Sequence, residues 1–209
     1  MVLKTYVVGQ LGANCFYYQK NDLGFIIDPG GSTAELEEIC SNLPGEVDYI
    51  LLTHGHVDHI QGVDGVKKVF PKAKTVINEE DLEIYEKAEI QAALFGLQFE
   101  QISSPDLILK KEQKEFHVFE IIPCPGHTMG GLSFYDKQEQ ILFSGDTLFR
   151  MSVGRTDFHN SSTYALEETI RSRLYKLPDE TRVYPGHGPA TTIGFEKKHN
   201  MVFPAHGHF

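Results

Sequence analysis

At 209 residues, with 41% hydrophobic and 23% charged side chains, the chain has ordinary globular composition, is long enough to bury a sizeable core, and is not a disordered polymer. Its 19 basic residues against 29 acidic ones leave a formal charge of −10, the wrong sign for gripping phosphates, so a nucleic-acid partner is not expected. No window carries the ~18 apolar residues of a membrane span, and Met1–Gly9 lacks the apolar stretch of a secretory signal, so no membrane partner and a cytoplasmic location are expected.

In chain order, Lys4–Val8, Asn14–Gln19 and Gly24–Ile27 are short β-branched or aromatic runs separated by Gly9, Gly12 and Asn21-Asp22, and they predict strands. Asp28-Pro29-Gly30-Gly31 then breaks the chain. Ser32, with Glu35 as its capping-box partner, starts a helix whose stripe is Leu36, Ile39 and Leu43, closed by Pro44-Gly45. Asp48–Thr53 is an apolar strand, Gly62–Phe70 a helix and Lys74–Ile77 another strand. A helix from Asn78 or Glu79 carries Leu82, Tyr85, Ile90 and Leu94 on its apolar face and stops at Gly96.

The second half repeats the style. Strands are expected over Glu115–Ile122, Gly131–Tyr135, Gln140–Phe143 and Arg182–Tyr184. A helix spans Ser161–Lys176, capped by Ser161 or Ser162, and one or two more helical turns cover Ile193–Asn200. Strands open each half and helices close it, an order that suits an α/β architecture of two sheets with helices outside. Cys15, Cys40 and Cys124 are odd in number and widely spaced, so they predict buried thiols and no disulfide framework. Cys124 stands three residues before His127, close along the chain to a candidate ligand.

Metal-capable residues cluster after strand ends. His54-Gly55-His56-Val57-Asp58-His59 sets four donors within six residues, just before Ile60–Val63, where a helix can start. One short segment cannot wrap four donors around one ion, but a bend can divide them between two. The missing ligands must come from other strand ends. His127 and His187 each follow a Pro-Gly turn, and Asp146 follows an apolar strand with two oxygens that can reach two ions. Imidazole and carboxylate donors suit zinc, iron and manganese alike. Asp28 is either a turn residue or a support for a ligand histidine. His117, His159, His199, His206 and His208 lie outside the pattern, and His206-Gly207-His208 is expected to be a solvated tail.

Thr53-His54-Gly55-His56-Val57-Asp58-His59-Ile60-Gln61-Gly62 resembles the T-H-x-H-x-D-H-x-x-G signature of the metallo-β-lactamase superfamily. Pro-Gly-His-Thr, Ser-Gly-Asp-Thr and Pro-Gly-His-Gly follow in the superfamily's order, so the resemblance covers nearly the whole chain. Asp28-Pro29-Gly30, Gly154-Arg155-Thr156-Asp157 and Gly188-Pro189-Ala190-Thr191-Thr192 make it most similar to short forms of glyoxalase II (hydroxyacylglutathione hydrolase). The residues after His187, 188–209, are too few for the C-terminal helical domain of full-length forms.

The resemblance implies one domain over 1–209: an αββα sandwich of two packed mixed β-sheets with helices on the outer faces. It implies two divalent ions, zinc first, with iron or manganese as alternatives. His54, His56 and His127 would bind one ion, Asp58, His59 and His187 the other, and Asp146 would bridge. Asp58 would also orient or deprotonate the attacking water, and Arg155 would face the substrate or pair with an acid. The implied substrate is a small thioester such as S-lactoylglutathione, attacked by a hydroxide held between the ions. A persulfide dioxygenase using one ferrous ion on His54, His127 and Asp146, and a lactonase or other ester hydrolase, share these motifs.

Overall fold

The computed structural model describes residues 1–205; the solvated tail expected at His206-Gly207-His208 lies outside the described residues. The chain divides into two units, Met1–Lys110 and the segment beginning at Lys111.

The first unit contains β1 (Val2–Val8), β2 (Ala13–Lys20), β3 (Leu23–Ile27), α1 (Thr33–Ser41), β4 (Tyr49–Leu51), α2 (Val57–Ile60), α3 (Val63–Val69), β5 (Lys74–Asn78), α4 (Leu82–Glu86), α5 (Ala88–Phe95) and β6 (Leu107–Leu109). Its six strands lie in chain order in one mixed sheet, antiparallel from β1 to β3 and parallel from β3 to β6. Strands β2 and β3 are buried along almost their whole length, as their apolar and aromatic stretches Cys15–Tyr18 and Phe25–Ile27 require. Leu36, Cys40, Ile50, Leu52, Val63, Val66 and Ile77 belong to one continuous core. Parallel pairing sets the carboxyl ends of β3 and β4 at the same edge, which is where Asp28 and His54 follow.

Two expectations for this unit are corrected. The capping box at α1 is only half formed: Ser32 Oγ accepts the Glu35 N–H at 3.2 Å, but the Glu35 carboxylate turns away and accepts the Gly9 N–H at 3.1 Å. The single helix from Asn78 is instead a 3₁₀ turn, α4 and α5, broken at Lys87 (φ −96°, ψ 18°). That break rotates the second segment, so Ala88 and Ala92 are buried while Ile90 and Leu94 are 60% and 80% exposed. Gly96 ends α5 in the left-handed conformation, as its position predicts.

The second unit contains β7 (Glu115–Phe116), β8 (Phe119–Pro123), β9 (Leu132–Asp136), β10 (Ile141–Gly145), β11 (Leu148–Phe149), β12 (Ser152–Val153), α6 (Thr163–Ser172), β13 (Arg182–Pro185), β14 (Thr191–Thr192) and α7 (Ile193–His199). Its sheet runs β14-β13-β10-β9-β8-β7, with β11 and β12 forming a separate hairpin. Strand β9 is antiparallel to both β8 and β10, and β10 is parallel to β13. Strands β8, β10 and β13 therefore point the same way, and the segments bearing His127, Asp146 and His187 leave from one edge. Leu142, Leu148, Leu166, Ile170, Leu174 and Val183 form this unit's core.

The strand expected over Glu115–Ile122 is in fact a tight hairpin, because His117 adopts φ +53° and folds β8 back on β7. The helix expected over Ser161–Lys176 is capped by Ser162, whose Oγ accepts the Ala165 N–H at 3.2 Å; it ends at Ser172 and passes into a 3₁₀ turn over Leu174–Lys176.

Candidate metal centre

In the first unit the site is organised by Asp28. This residue follows β3 with φ +53°, a conformation Asp tolerates better than most residues, and it is fully buried. Its Oδ1 accepts the Thr53 N–H at 2.8 Å, and its Oδ2 accepts the Thr53 hydroxyl at 2.7 Å. The same Oδ2 lies 3.0 Å from His59 Nδ1. A carboxylate can only accept, so the proton sits on Nδ1 and the lone pair of His59 is left on Nε2. The Thr53 hydroxyl has its own proton committed to Asp28, so it must accept from His54 Nδ1, 3.0 Å away. That fixes His54 as the same tautomer. One buried carboxylate thus orients two imidazoles, one directly and one through Thr53.

Asp28, His54 and His59 each offer a ligand atom within 4.8 Å of the others. The His54 and His59 rings lie 4.2 Å apart between centroids, and His56 meets His54 edge-on at 4.8 Å. The helix expected only near Ile60 starts three residues earlier. His56 is the N-cap of α2, which puts Asp58 and His59 on its first turn. Asp58 Oδ2 stands 3.7 Å from His59 Nε2. Asp58 also lines a cavity of about 630 Å³ with Leu11, Gln61, Leu97, Gln98 and Phe99, a volume in the range of small-ligand pockets.

In the second unit His127 is oriented by backbone: its Nδ1 donates to the Arg155 carbonyl at 2.8 Å, leaving the lone pair on Nε2. His127 Nε2 and His187 Nε2 lie 3.5 and 3.7 Å from the same atom, Asp146 Oδ2. These spacings, like that of Asp58 and His59, are long for direct hydrogen bonds. They are close to the roughly 3.3–3.6 Å that separates two donors bound to one ion at tetrahedral angles with bonds of about 2.0–2.2 Å. Imidazole and carboxylate donors, ring nitrogens protonated away from one another, and this spacing all fit divalent metal ions.

Glycine sets the backbone beneath a carboxylate in both units. A Cβ on Gly30 would stand 1.4 Å from the Asp58 carbonyl oxygen, and one on Gly154 would stand 1.8 Å from that of Asp146. Neither contact is possible for any other residue.

The Arg155 side chain forms a bidentate pair with Asp157 at 3.0 and 2.8 Å and stacks over Phe158, with both charged groups exposed. Its contribution to His127 is through its carbonyl, which no sequence signal announces. Cys124 is buried beside Ser133, and burial pushes its thiol up to about 11; Cys40 is pushed up to about 12 by the same cause. Neither supplies a thiolate nucleophile near neutral pH. Iodoacetamide at pH 8 is therefore expected to leave all three buried cysteines of the native chain unmodified over a period that fully modifies the denatured chain, as read by intact mass. Rapid labelling of the native chain would contradict this burial.

The family model of the metallo-beta-lactamase superfamily matches residues 8–187. The chain belongs to the metallo-β-lactamase superfamily. Hydroxyacylglutathione hydrolase GloC of Haemophilus influenzae is 36% identical over 179 residues, 84% of each chain. Among solved structures, the BLEG-1 B3 metallo-beta-lactamase superposes with TM-score 0.86 at 31% identity, covering 99% of this chain and 100% of that one. The structure of TTHA1623 in a di-iron-bound form also gives TM-score 0.86, at 34% identity and 94% and 98% coverage. The fold is accordingly that of the superfamily, two mixed β-sheets with helices, and the chain is a metallo-hydrolase by family. Among the described residues no helix is long and apolar enough to cross a membrane.

Proposed function

We propose that the chain is a binuclear metal-dependent thioester hydrolase, in which His54, His56 and His127 hold one ion, Asp58, His59 and His187 hold the other, and Asp146 bridges them within a single domain. The observation that carries this reading is the orientation of the imidazoles: His54, His59 and His127 each spend Nδ1 on a protein acceptor and keep Nε2 as the donor. The common distance of His127 and His187 from one oxygen of Asp146 supports the bridging role. Zinc is the ion we expect, and iron and manganese have the same donor preferences at such a site.

When bound, such ions lower the pKa of a water to about 7 and polarise a substrate carbonyl. The chain's own residues then have distinct tasks. Asp28, through His59 and Thr53, holds the rings still, so that little reorganisation is required during reaction. Asp58 orients the attacking water and accepts its proton at a carboxylate oxygen. The cavity beside it, with Leu11, Leu97 and Phe99 on its wall, receives a small substrate and limits water. A thiol leaves with little need of protonation, because its pKa of ~8.5 lies near ambient pH. That makes a thioester such as S-lactoylglutathione the natural substrate class, and the reduced thiols suit a cytoplasmic enzyme.

The test is turnover by metal-free protein reloaded with zinc, iron or manganese. S-lactoylglutathione hydrolysis is expected, with little action on a β-lactam. Oxygen uptake with glutathione persulfide and no thioester turnover would replace this reading with the dioxygenase.

We further propose that Arg155 meets substrate through its guanidinium, whereas its carbonyl serves the metal site. Arg155→Ala should then keep full metal content, since the carbonyl remains, and raise KM several-fold with kcat nearly unchanged. An unchanged KM would reduce the side chain to the exposed pair with Asp157, a kind of contact that solvent screens and that adds little to stability.

A further inference from the structure

Glu196 is fully buried in the first turn of α7, yet nothing in the proposed chemistry uses it. Its carboxylate is held by three donors: Oε1 accepts the Thr191 hydroxyl at 2.6 Å, and Oε2 accepts the Met151 N–H and Asn200 Nδ2, both at 2.9 Å. Asn200 Nδ2 also donates to the Ser152 carbonyl at 3.0 Å.

The donors lie on the segments that carry the second unit's candidate ligands. Thr191 opens β14, four residues after His187. Met151 sits at the tip of the β11–β12 hairpin with φ +60°, and that hairpin begins directly after Asp146-Thr147. Ser152 and Val153 lead to Gly154, where a Cβ would stand 1.8 Å from the Asp146 carbonyl oxygen and 3.3 Å from His127 Cβ, and then to Arg155, whose carbonyl orients His127. The segments serving His187, Asp146 and His127 therefore converge on one buried carboxylate. A buried carboxylate carries a desolvation cost that only its full set of donors offsets, and these donors come from all of those segments.

We infer that Glu196 is a positioning residue for the metal centre, setting the relative placement of His127, Asp146 and His187 through Thr191 and the β11–β12 hairpin. The inference rests on the reading of those three residues as metal ligands. Glu196→Gln preserves the shape and the acceptor for Met151 and Asn200, and its amide can donate to the Thr191 oxygen. Glu196→Ala removes every link. Thr191→Val is nearly isosteric and cuts only the link to the His187 segment.

The experiment is zinc affinity of the metal-free protein by competition with a chromogenic chelator, alongside thermal unfolding without metal and circular dichroism. Glu196→Ala is expected to weaken zinc binding ~10-fold or more, as loss of ligand-supporting contacts does, with Glu196→Gln restoring it to within about threefold of the parent. Thr191→Val should weaken zinc binding measurably, and it decides the matter alone if Glu196→Ala does not fold. Variants that melt earlier but bind zinc as tightly as the parent would overturn the inference. A parent chain that binds no zinc, iron or manganese would instead sink the metal-centre reading beneath it.

Discussion

Asp28→Asn is expected to leave the chain folded but weaken metal binding ~10–100-fold, with activity falling accordingly. The argument follows the protons. Oδ1 accepts the rigid Thr53 N–H, so the amide oxygen must occupy that position and the NH2 must replace Oδ2. An NH2 there faces His59 Nδ1 and the Thr53 hydroxyl, both of which now donate to Oδ2. His59 must then accept at Nδ1 and carry its proton on Nε2, the atom that the proposed centre uses as its donor. Thr53 can no longer donate to residue 28, and His54 loses its fixed tautomer as well. Asp28→Ala goes further, leaving three buried donors without their acceptor and costing roughly 3–5 kcal/mol. That is a large part of the ~5–15 kcal/mol that holds a typical domain folded. Chelator competition and thermal melts of the two variants measure both effects, and metal affinity unchanged in Asp28→Asn would refute the relay.

Gly30→Ala should be at least as damaging, by steric means. A methyl 1.4 Å from the Asp58 carbonyl oxygen forces the turn after β3 and the helix α2 apart by more than an ångström. The Gly62 N–H donates to the Pro29 carbonyl at 2.7 Å, so the same displacement strains that link. Misplacement of about 1 Å at a catalytic group costs on the order of 10²-fold in rate, and overpacking of this kind costs ~3 kcal/mol or more. Gly154→Ala repeats the experiment under Asp146. A Gly30→Ala chain with parental melting temperature and metal content would show that the backbone can yield where the packing says it cannot.

The sequence was most informative where chemistry needs several unusual residues together. The histidine cluster stands out because four donors follow one apolar strand, and His127, Asp146 and His187 because each follows a strand and a glycine; β8, β10 and β13 do bring the last three to one sheet edge. Asp28 left its role open because Asp-Pro-Gly is equally a turn; only the burial of its carboxylate against Thr53 and His59 decides between the two. The β11–β12 hairpin was invisible because two-residue strands show no period. Ile90 and Leu94 were misjudged because the break at Lys87 rotates α5. Glu196 carried no signal, since an acidic residue near a helix start reads as a surface charge until its three donors are seen. The Arg155 carbonyl, being backbone, has no sequence signature at all.

The central claim is that two ions serve one hydrolytic site, and elemental analysis of the purified chain with S-lactoylglutathione turnover on the same sample tests it most directly. About two metal equivalents per chain with turnover are predicted, falling to about one in His59→Ala with loss of most of the rate. A single iron equivalent with no thioester turnover would contradict the account.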